Sequence, residues 1–291
     1  MALEGNYNMK ITVSSDSTCD LSRELIDRFN ISVIPMSVIK GGEVFKDGVD
    51  ISPTDIFRWV DAGGDMCSTI APPPSEYEEH FSRFLENSDC VIHVSLGSGF
   101  SASHQNARIA AEQYENVYVV DSRNLSTGQG HVVLEAARMV QEGMEPKDIT
   151  AALEELTGRV ETSFVINNLH YLVKGGRCSA AAAFGANLLK LKPCIELTDG
   201  KMSTGKKYRG SAANCISEYV KDRLKDRTDI IYDRIFITHT EHTPEEVQAA
   251  KDAVAQYSNF KEVCETIAGC TVSCHCGPKC LGVLFIRKKK E

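Results

Sequence analysis

Short hydroxyl side chains concentrate in three turns of the N-terminal half, each lying between a predicted strand and a predicted helix. The turns are residues 14–18 (SSDST), 95–101 (SLGSGFS) and 121–128 (DSRNLSTG). In a parallel sheet such turns meet at the carboxyl edge of the strands, where ligands bind. Hydroxyls and the free N–H groups of helix starts can together hold a single carboxylate. The alternative is that these hydroxyls only cap helices, as serine and threonine commonly do.

The residue types in these turns argue against a nucleotide site and against catalysis. The turns contain one arginine and no lysine, and neither GxxxxGK[ST] nor GxGxxG occurs in them. Asp16, Asp20 and Asp121 are candidate paired acids, but an aspartate at a strand end usually braces a loop. The chain also lacks an HExxH metal motif and a GxSxG nucleophile turn. We therefore predict no catalytic residue and no metal ligand here.

The elements that must position these turns follow an alternating pattern up to about residue 160. Predicted strands cover residues 10–14, 31–39, 90–95 and 116–121. Predicted helices cover residues 22–29, 53–62, 75–87, 101–114, 127–141 and 147–156. This βαβ rhythm predicts a parallel sheet with right-handed crossovers.

The second half of the chain does not continue the regular alternation of strands and helices, and the connections between its elements are longer and more varied. Predicted strands cover residues 162–167, 193–197, 234–239 and 280–287, and predicted helices cover residues 169–174, 180–190, 212–225 and 244–257. We therefore predict an α/β protein of two domains. Residues 9–160 form a parallel-sheet α/β domain, and residues 161–291 form an α+β domain.

The composition of the 291-residue chain excludes several classes of function. Its formal net charge of −8 argues against nucleic-acid binding, which requires a basic surface. No apolar run is long enough to span a bilayer, and the polar residues 1–8 do not resemble a signal peptide. The sequence therefore predicts a cytoplasmic protein without stable membrane insertion. Seven of the eleven cysteines are scattered singly, which indicates reduced and mostly buried thiols.

Two segments of the second half leave alternatives open. Cys270, Cys274, Cys276 and Cys280 lie close together, and four thiols can bind zinc. Their C-x3-C-x-C-x3-C spacing is not the paired C-x2-C form, so we favour buried thiols, with Cys274 and Cys276 on one face of a strand. The uncharged residues 178–189 indicate a core helix whose small side chains leave room for an alkyl chain.

An ordered set of motifs across residues 9–287 resembles the DegV family of bacterial fatty-acid-binding proteins. The set is SDSTCDL (15–21), TIAPPPSEY (69–77), SGFSAS (98–103), DSRNLSTGQG (121–130), LHYLVKGGR (169–177), KP (192–193), DGK (199–201) and HCGP (275–278). Ile70 and Ala71 depart from the family pattern, in which Ser and Gln follow the threonine, and so remove two possible polar contacts.

The resemblance implies a DegV-like fold with a long-chain fatty acid buried in a tunnel that residues 161–291 cover. It implies that the fatty acid carboxylate is bound by Thr69, Ser98 and the neighbouring Ser101. It also implies that the mouth of the site or a docking surface for a kinase is formed by Arg177, Arg209 and His275.

The resemblance further implies a carrier rather than an enzyme. A separate ATP-dependent fatty acid kinase would phosphorylate the bound carboxylate to an acyl phosphate for phospholipid metabolism. The fatty acid would be the ligand, with no cofactor and no metal. Two alternatives remain: a serine-dependent acyl hydrolase or transferase that uses Ser98 or Ser101 with His275, and a zinc-dependent interaction protein.

Overall fold

A computed structural model describes residues 9–167, 169–178 and 191–289. The helix predicted over residues 180–190, and the alkyl-chain space predicted along residues 178–189, lie outside these ranges apart from Cys178. Among the described residues, no helix combines the length and the apolar character needed to cross a bilayer.

The N-terminal half contains a four-stranded parallel sheet. Its strands are β1 (Ile11–Asp16), β2 (Ser32–Ile34), β6 (Cys90–Ser95) and β7 (Val117–Asp121), in the order β2-β1-β6-β7. Helices α3 (Pro74–Leu85) and α4 (Ser103–Ala111) pack on one face. Helices α1 (Arg23–Arg28), α5 (Ser126–Gln141) and α6 (Pro146–Thr157) pack on the other. The predicted parallel sheet is therefore confirmed.

The C-terminal half contains a six-stranded mixed sheet. Its strands are β8 (Val160–Ile166), β9 (Leu191–Thr198), β10 (Lys201–Arg209), β11 (Ile230–His239), β12 (Glu262–Ile267) and β13 (Cys280–Arg287), in the order β10-β9-β8-β13-β11-β12. All neighbours are antiparallel except β11 and β12. Helices α8 (Ala212–Leu224) and α9 (Pro244–Tyr257) cover one face, and α5 packs against the other.

A small lobe beside these sheets was not expected from the sequence. It is an antiparallel sheet of β3 (Ser37–Lys40), β4 (Glu43–Lys46) and β5 (Ser68–Ile70), packed with α2 (Pro53–Asp61), α7 (His170–Gly175) and α10 (Cys270–Cys276). The single strand predicted over residues 31–39 is wrong. The strand is interrupted at Pro35, because proline has no N–H to donate to a neighbouring strand. As a result β2 and β3 belong to different sheets.

The C-terminal cysteines lie largely on a helix rather than on the expected strand. Residues four apart share a helix face, so Cys270 and Cys274 enter one apolar cluster, whereas Cys276 joins Cys280 in another. The described residues contain no group of three or more His, Cys, Asp or Glu side chains arranged to hold a metal ion. All eleven cysteines are thiols, and all but Cys264 are buried.

The change from one large sheet to the other occurs between α6 and β8. The predicted domain boundary at residue 160 coincides with the first residue of β8. One core cluster nevertheless contains Val13 of β1 together with Phe236 and Leu284 of the second sheet, because α5 lies between the sheets. The division into domains 9–160 and 161–291 therefore stays a prediction.

Candidate functional site

A cavity of about 350 Å³ lies where the small lobe meets both large sheets. We call it the main cavity. Its apolar wall is formed by Met36, Ile70, Ala71, Leu96, Phe100, Ala102, Leu125, Met202, Val272 and Cys276. Its polar wall is formed by Thr18, Thr69, Ser101, Asn106, Arg177, Thr271 and His275. Among the described residues no acidic side chain lines it, so the site suits an apolar ligand with one anionic end.

Thr69 and His275 form the polar pair of this cavity. The Thr69 hydroxyl lies 2.9 Å from Nε2 of His275, although the two residues are 206 positions apart in the chain. Thr69 is held in β5, where it stands opposite Val38 of the central strand β3. His275 lies in the last turn of α10. The two residues meet because α10 packs against the three-stranded sheet of the small lobe.

His275 is an uncharged hydrogen-bonding group at neutral pH. Burial, with a smaller contribution from the charge of Arg177, lowers the pKa of His275 to about 4. Its Nδ1 is buried and has no hydrogen-bond partner among the described residues. The ring passes so close to Gly175 that any Cβ at that position would collide with Nδ1. The glycine of the KGGR motif therefore makes room for the imidazole.

Two aspartate side chains from the N-terminal half fix the start of α10. Asp47 accepts hydrogen bonds from the backbone N–H groups of Cys270 (2.8 Å) and Thr271 (3.0 Å). Asp20 accepts from the N–H of Gly269 (2.9 Å), and burial raises the pKa of Asp20 to about 8. Because the first N–H groups of a helix have no partner within it, these contacts set the position of α10.

The turn after β6 separates the two serines that the sequence placed together. Ser101 lines the main cavity, and its oxygen accepts from the N–H of Ser103 at the start of α4 (3.2 Å). Ser98 is exposed and is not among the cavity-lining residues. Its hydroxyl donates to Asp121 at 2.6 Å. The geometry therefore favours Ser101 over Ser98 as a ligand contact.

The aspartates of the three turns brace backbone rather than form an acid pair. Asp16 accepts from the N–H of Leu96 (2.6 Å), and Asp121 accepts from the N–H of Ser98 (3.0 Å). Asp16 is fully buried and also accepts from the Tyr77 hydroxyl. These contacts agree with the loop-bracing interpretation.

Thr271 is a site residue that the sequence analysis missed. Its hydroxyl oxygen is buried and lacks a hydrogen-bond partner among the described residues, and the residue lines the main cavity. A buried hydroxyl without a partner is costly, so a ligand oxygen here would be stabilised. The only available signal was its position four residues before His275, which becomes informative only once residues 270–276 are known to be helical.

The two arginines assigned to the site mouth lie in different places. Arg177 is exposed at the edge of the main cavity, and its guanidinium donates to the carbonyl of Gly175 (2.7 Å). Arg209 instead lines a separate surface pocket with Asn167 and Lys192. A docking role for either arginine stays a prediction.

The arrangement does not support the serine hydrolase alternative. His275 pairs with Thr69, whereas the Ser98 hydroxyl donates to Asp121 and the Ser101 hydroxyl pairs with Ser103 (2.9 Å). A nucleophilic serine needs a base within hydrogen-bond reach, and neither serine has His275 as a partner.

Comparison with known proteins agrees with this reading of the fold. A family model described as "Uncharacterised protein, DegV family" matches residues 10–288. A DegV domain-containing protein of Caldanaerobacter subterraneus subsp. tengcongensis is 32% identical over 285 residues, covering 96% of this chain and 99% of that protein.

Solved structures of similar proteins share the fold over nearly their whole length. A DegV family protein from Thermus thermophilus, described for its fatty acid binding, is 28% identical with a TM-score of 0.88 and covers 96% of this chain and 100% of its own. A stearic acid-binding protein from Eubacterium ventriosum is 25% identical with a TM-score of 0.84, with coverages of 96% and 98%. DegV from Bacillus subtilis, described as a fatty acid binding protein, is 26% identical with a TM-score of 0.80, with coverages of 96% and 100%.

Proposed function

We propose that this chain, which belongs to the DegV family, binds one long-chain fatty acid in the main cavity and presents the carboxylate to a separate kinase. The observation that carries the proposal is the composition of the cavity wall. A neutral polar group of Thr69, Thr271 and His275 faces a space otherwise lined mainly by carbon. The fatty acid binding described for the similar solved proteins supports the same ligand class.

Uncharged donors suit a carboxylate that must react later. We assign the carboxylate to the hydroxyls of Thr69, Ser101 and Thr271, with His275 orienting Thr69. Hydrogen bonds from hydroxyls satisfy the anion without enclosing it in a buried ion pair, whose desolvation is costly. Arg177 at the edge of the cavity supplies a positive charge that attracts the anion without burying it. Ser98 has no part in this assignment.

The apolar wall provides most of the binding energy. Transfer of a sixteen-carbon chain from water gains on the order of 10 kcal/mol at about 0.8 kcal/mol per methylene, before the costs of association. Ile70 and Ala71 add to this wall at positions where the family pattern has polar residues. A ligand bound in this way should remain with the protein through purification.

The kinase step requires only that one carboxylate oxygen be accessible. That oxygen attacks the γ-phosphorus of ATP, the bond to the bridging oxygen breaks, and acyl phosphate and ADP result. The kinase would supply ATP and its metal ion, and this chain would hold and orient the acid. The carrier therefore needs no catalytic residue of its own.

We predict that an organic extract of purified protein contains a long-chain fatty acid at close to one molecule per chain, as measured by mass spectrometry. The protein should be expressed in cells supplied with fatty acids, and a lipid-free protein of similar size should be purified in parallel as the control. An empty protein from such cells would contradict the proposed ligand.

The carrier role is tested by adding a DegV-associated fatty acid kinase and ATP to the loaded protein. We expect ADP and acyl phosphate, trapped as the hydroxamate, only when protein, kinase and ATP are all present. The protein alone should not hydrolyse acyl esters. Ester turnover by the isolated chain would instead support the hydrolase alternative.

A further inference from the structure

Two cysteines of the small lobe, Cys67 and Cys274, form a hydrogen-bonded thiol pair. Both belong to the apolar cluster of this lobe. The Cys274 thiol donates to the sulfur of Cys67, and this hydrogen bond lowers the pKa of Cys67 and raises the pKa of Cys274. Of the two sulfurs, Cys67 therefore ionises first, while Cys274 keeps its proton.

The packing of α10 against β5 brings the two thiols together. Cys67 is the residue immediately before β5 and adjoins the exposed Ser68. Cys274 lies on α10, one turn after Cys270 and on the same face. The Cys270 thiol has another partner, because it donates to the carbonyl of Ile51 (3.2 Å). The geometry therefore favours Cys274 as the partner of Cys67.

Cys67 has the properties of a reactive thiol. It is 7% exposed, compared with 1% for Cys274, so a small oxidant can reach it first. The positive charge of Lys40, on the neighbouring strand β3, adds to the hydrogen bond in favouring the Cys67 thiolate. Because the thiolate is the nucleophile, exposure alone does not make a cysteine reactive. Cys264 is the most exposed cysteine, but its partial burial raises its pKa to about 11.

We propose that Cys67 and Cys274 form a reversible disulfide in the presence of hydrogen peroxide, and that this bond slows exchange of the ligand in the main cavity. The Cys67 thiolate attacks a peroxide oxygen, the O–O bond breaks, and a sulfenic acid and hydroxide form. Cys274 then attacks the Cys67 sulfur, the S–O bond breaks, and water leaves with the Cys274 proton. The hydroxide takes the proton that Cys67 released. Two thiols are oxidised, one peroxide is reduced to two waters, and a dithiol reverses the bond by exchange.

The effect on exchange follows from where the bond lies, and it rests on the proposed function. Cys67 precedes Thr69 by two residues, and Cys274 is adjacent to His275. Thr69 and His275 both line the main cavity, on β5 and α10 respectively. A long acyl chain leaves the cavity when these two walls separate locally. A covalent bond between the walls opposes that local opening.

The disulfide is tested by peptide mapping of peroxide-treated protein. After alkylation of the remaining thiols under denaturing conditions, a non-reduced tryptic digest should contain residues 59–83 joined to residues 262–279. The joined peptides should weigh two hydrogens less than their sum, with fragment ions that place the bond at Cys274. Dithiothreitol should separate them.

Three variants test the assignment of the two sulfurs. Cys67→Ser and Cys274→Ala should each abolish the joined peptides. Cys264→Ala is the matched control, because it removes the most exposed cysteine from the same tryptic peptide, and it should form the bond as wild type does. Melting temperatures show which variants are folded, and either Cys67→Ser or Cys274→Ala alone is a sufficient test.

The effect on the ligand is measured as a release rate. Protein loaded with a fluorescent fatty acid is mixed with excess unlabelled acid, before and after peroxide treatment. We expect release from the oxidised wild type to be about tenfold slower, because the walls open less often. The melting temperature should rise by about 5–10 °C, since the bond closes a long loop of the unfolded chain. Dithiothreitol should reverse both changes, and Cys67→Ser should show neither.

The possible results separate the parts of the proposal. Peroxide-treated wild type without joined peptides, or with only sulfinic acid at Cys67, would overturn the disulfide. A disulfide that leaves the release rate unchanged would overturn the effect on exchange. Failure of untreated wild type to bind any fatty acid would overturn the proposed function and the effect on exchange together, whereas the peptide map decides the disulfide independently.

Discussion

A variant that combines Thr69→Val with Ser101→Ala should bind long-chain fatty acid at least about 100-fold more weakly than wild type, because two hydroxyl donors to the carboxylate are lost. Valine keeps the shape of threonine, so the wall of the cavity should not collapse. Each hydrogen bond to a charged group contributes about 1.5–3 kcal/mol, so losing two should exceed any effect on packing. Affinity is measured by displacement of a fluorescent fatty acid.

The matched control for this double variant is Ser98→Ala, which removes a hydroxyl of the same turn that points to Asp121. We expect its affinity to remain within about twofold of wild type, since the hydroxyl makes no ligand contact in our assignment. The Ser101 hydroxyl oxygen also accepts from the N–H of Ser103, the first residue of α4, so the melting temperature should be recorded for each variant. If Ser98→Ala lost as much affinity as the double variant, the carboxylate would lie at Ser98, one of the three residues that the family resemblance implied.

Asp47→Ala should lower the free energy of unfolding by about 3 kcal/mol, because it leaves backbone donors at the start of α10 without acceptors. The Asp47 carboxylate is buried and accepts from two N–H groups of α10 and from the Ser17 hydroxyl (3.2 Å). We expect a melting temperature about 5–10 °C lower. Fatty acid affinity should fall as well, because α10 carries Thr271 and His275.

Two further variants separate a specific role of Asp47 from a general loss of charge. Asp50→Ala removes an exposed carboxylate only three residues away, which accepts from the backbone of Lys46 (2.5 Å), and should cost about 1 kcal/mol or less. Asp47→Asn keeps one side-chain oxygen and should recover part of the loss. Chemical denaturation measures all three. Equal stability of Asp47→Ala and Asp50→Ala would show that α10 does not depend on this cap.

Much of the fold was predictable because local patterns decide it. The buried strand over residues 90–95 and the helix over residues 127–141 correspond to β6 and to nearly all of α5. Strong apolar patterning and turn residues specify such elements without reference to the rest of the chain. The antiparallel sheet of the small lobe could not be predicted in the same way. Its strands are three or four residues long, too short for a periodic signal, and they form only by pairing with one another.

Within the site, the sequence by itself determined the residue types and, through the ordered motifs, the family. The family resemblance implied Thr69, Ser98 and Ser101 for the carboxylate and placed His275 at the mouth of the site. The sequence could not distinguish Ser101 from Ser98, because both are small hydroxyls in one turn. Only the tertiary structure decided which hydroxyl faces the cavity, since that depends on Asp121, a residue from the neighbouring strand.

The tertiary structure alone also brought Thr69 to His275, and it left the Thr271 hydroxyl without a hydrogen-bond partner among the described residues. The cavity is also formed only in the tertiary structure, because its walls come from segments far apart in the chain. The physical reason is the same in each case. Hydrogen-bond partners and enclosed volume depend on where distant segments pack. The spacing of residues along the chain does not determine how those segments pack.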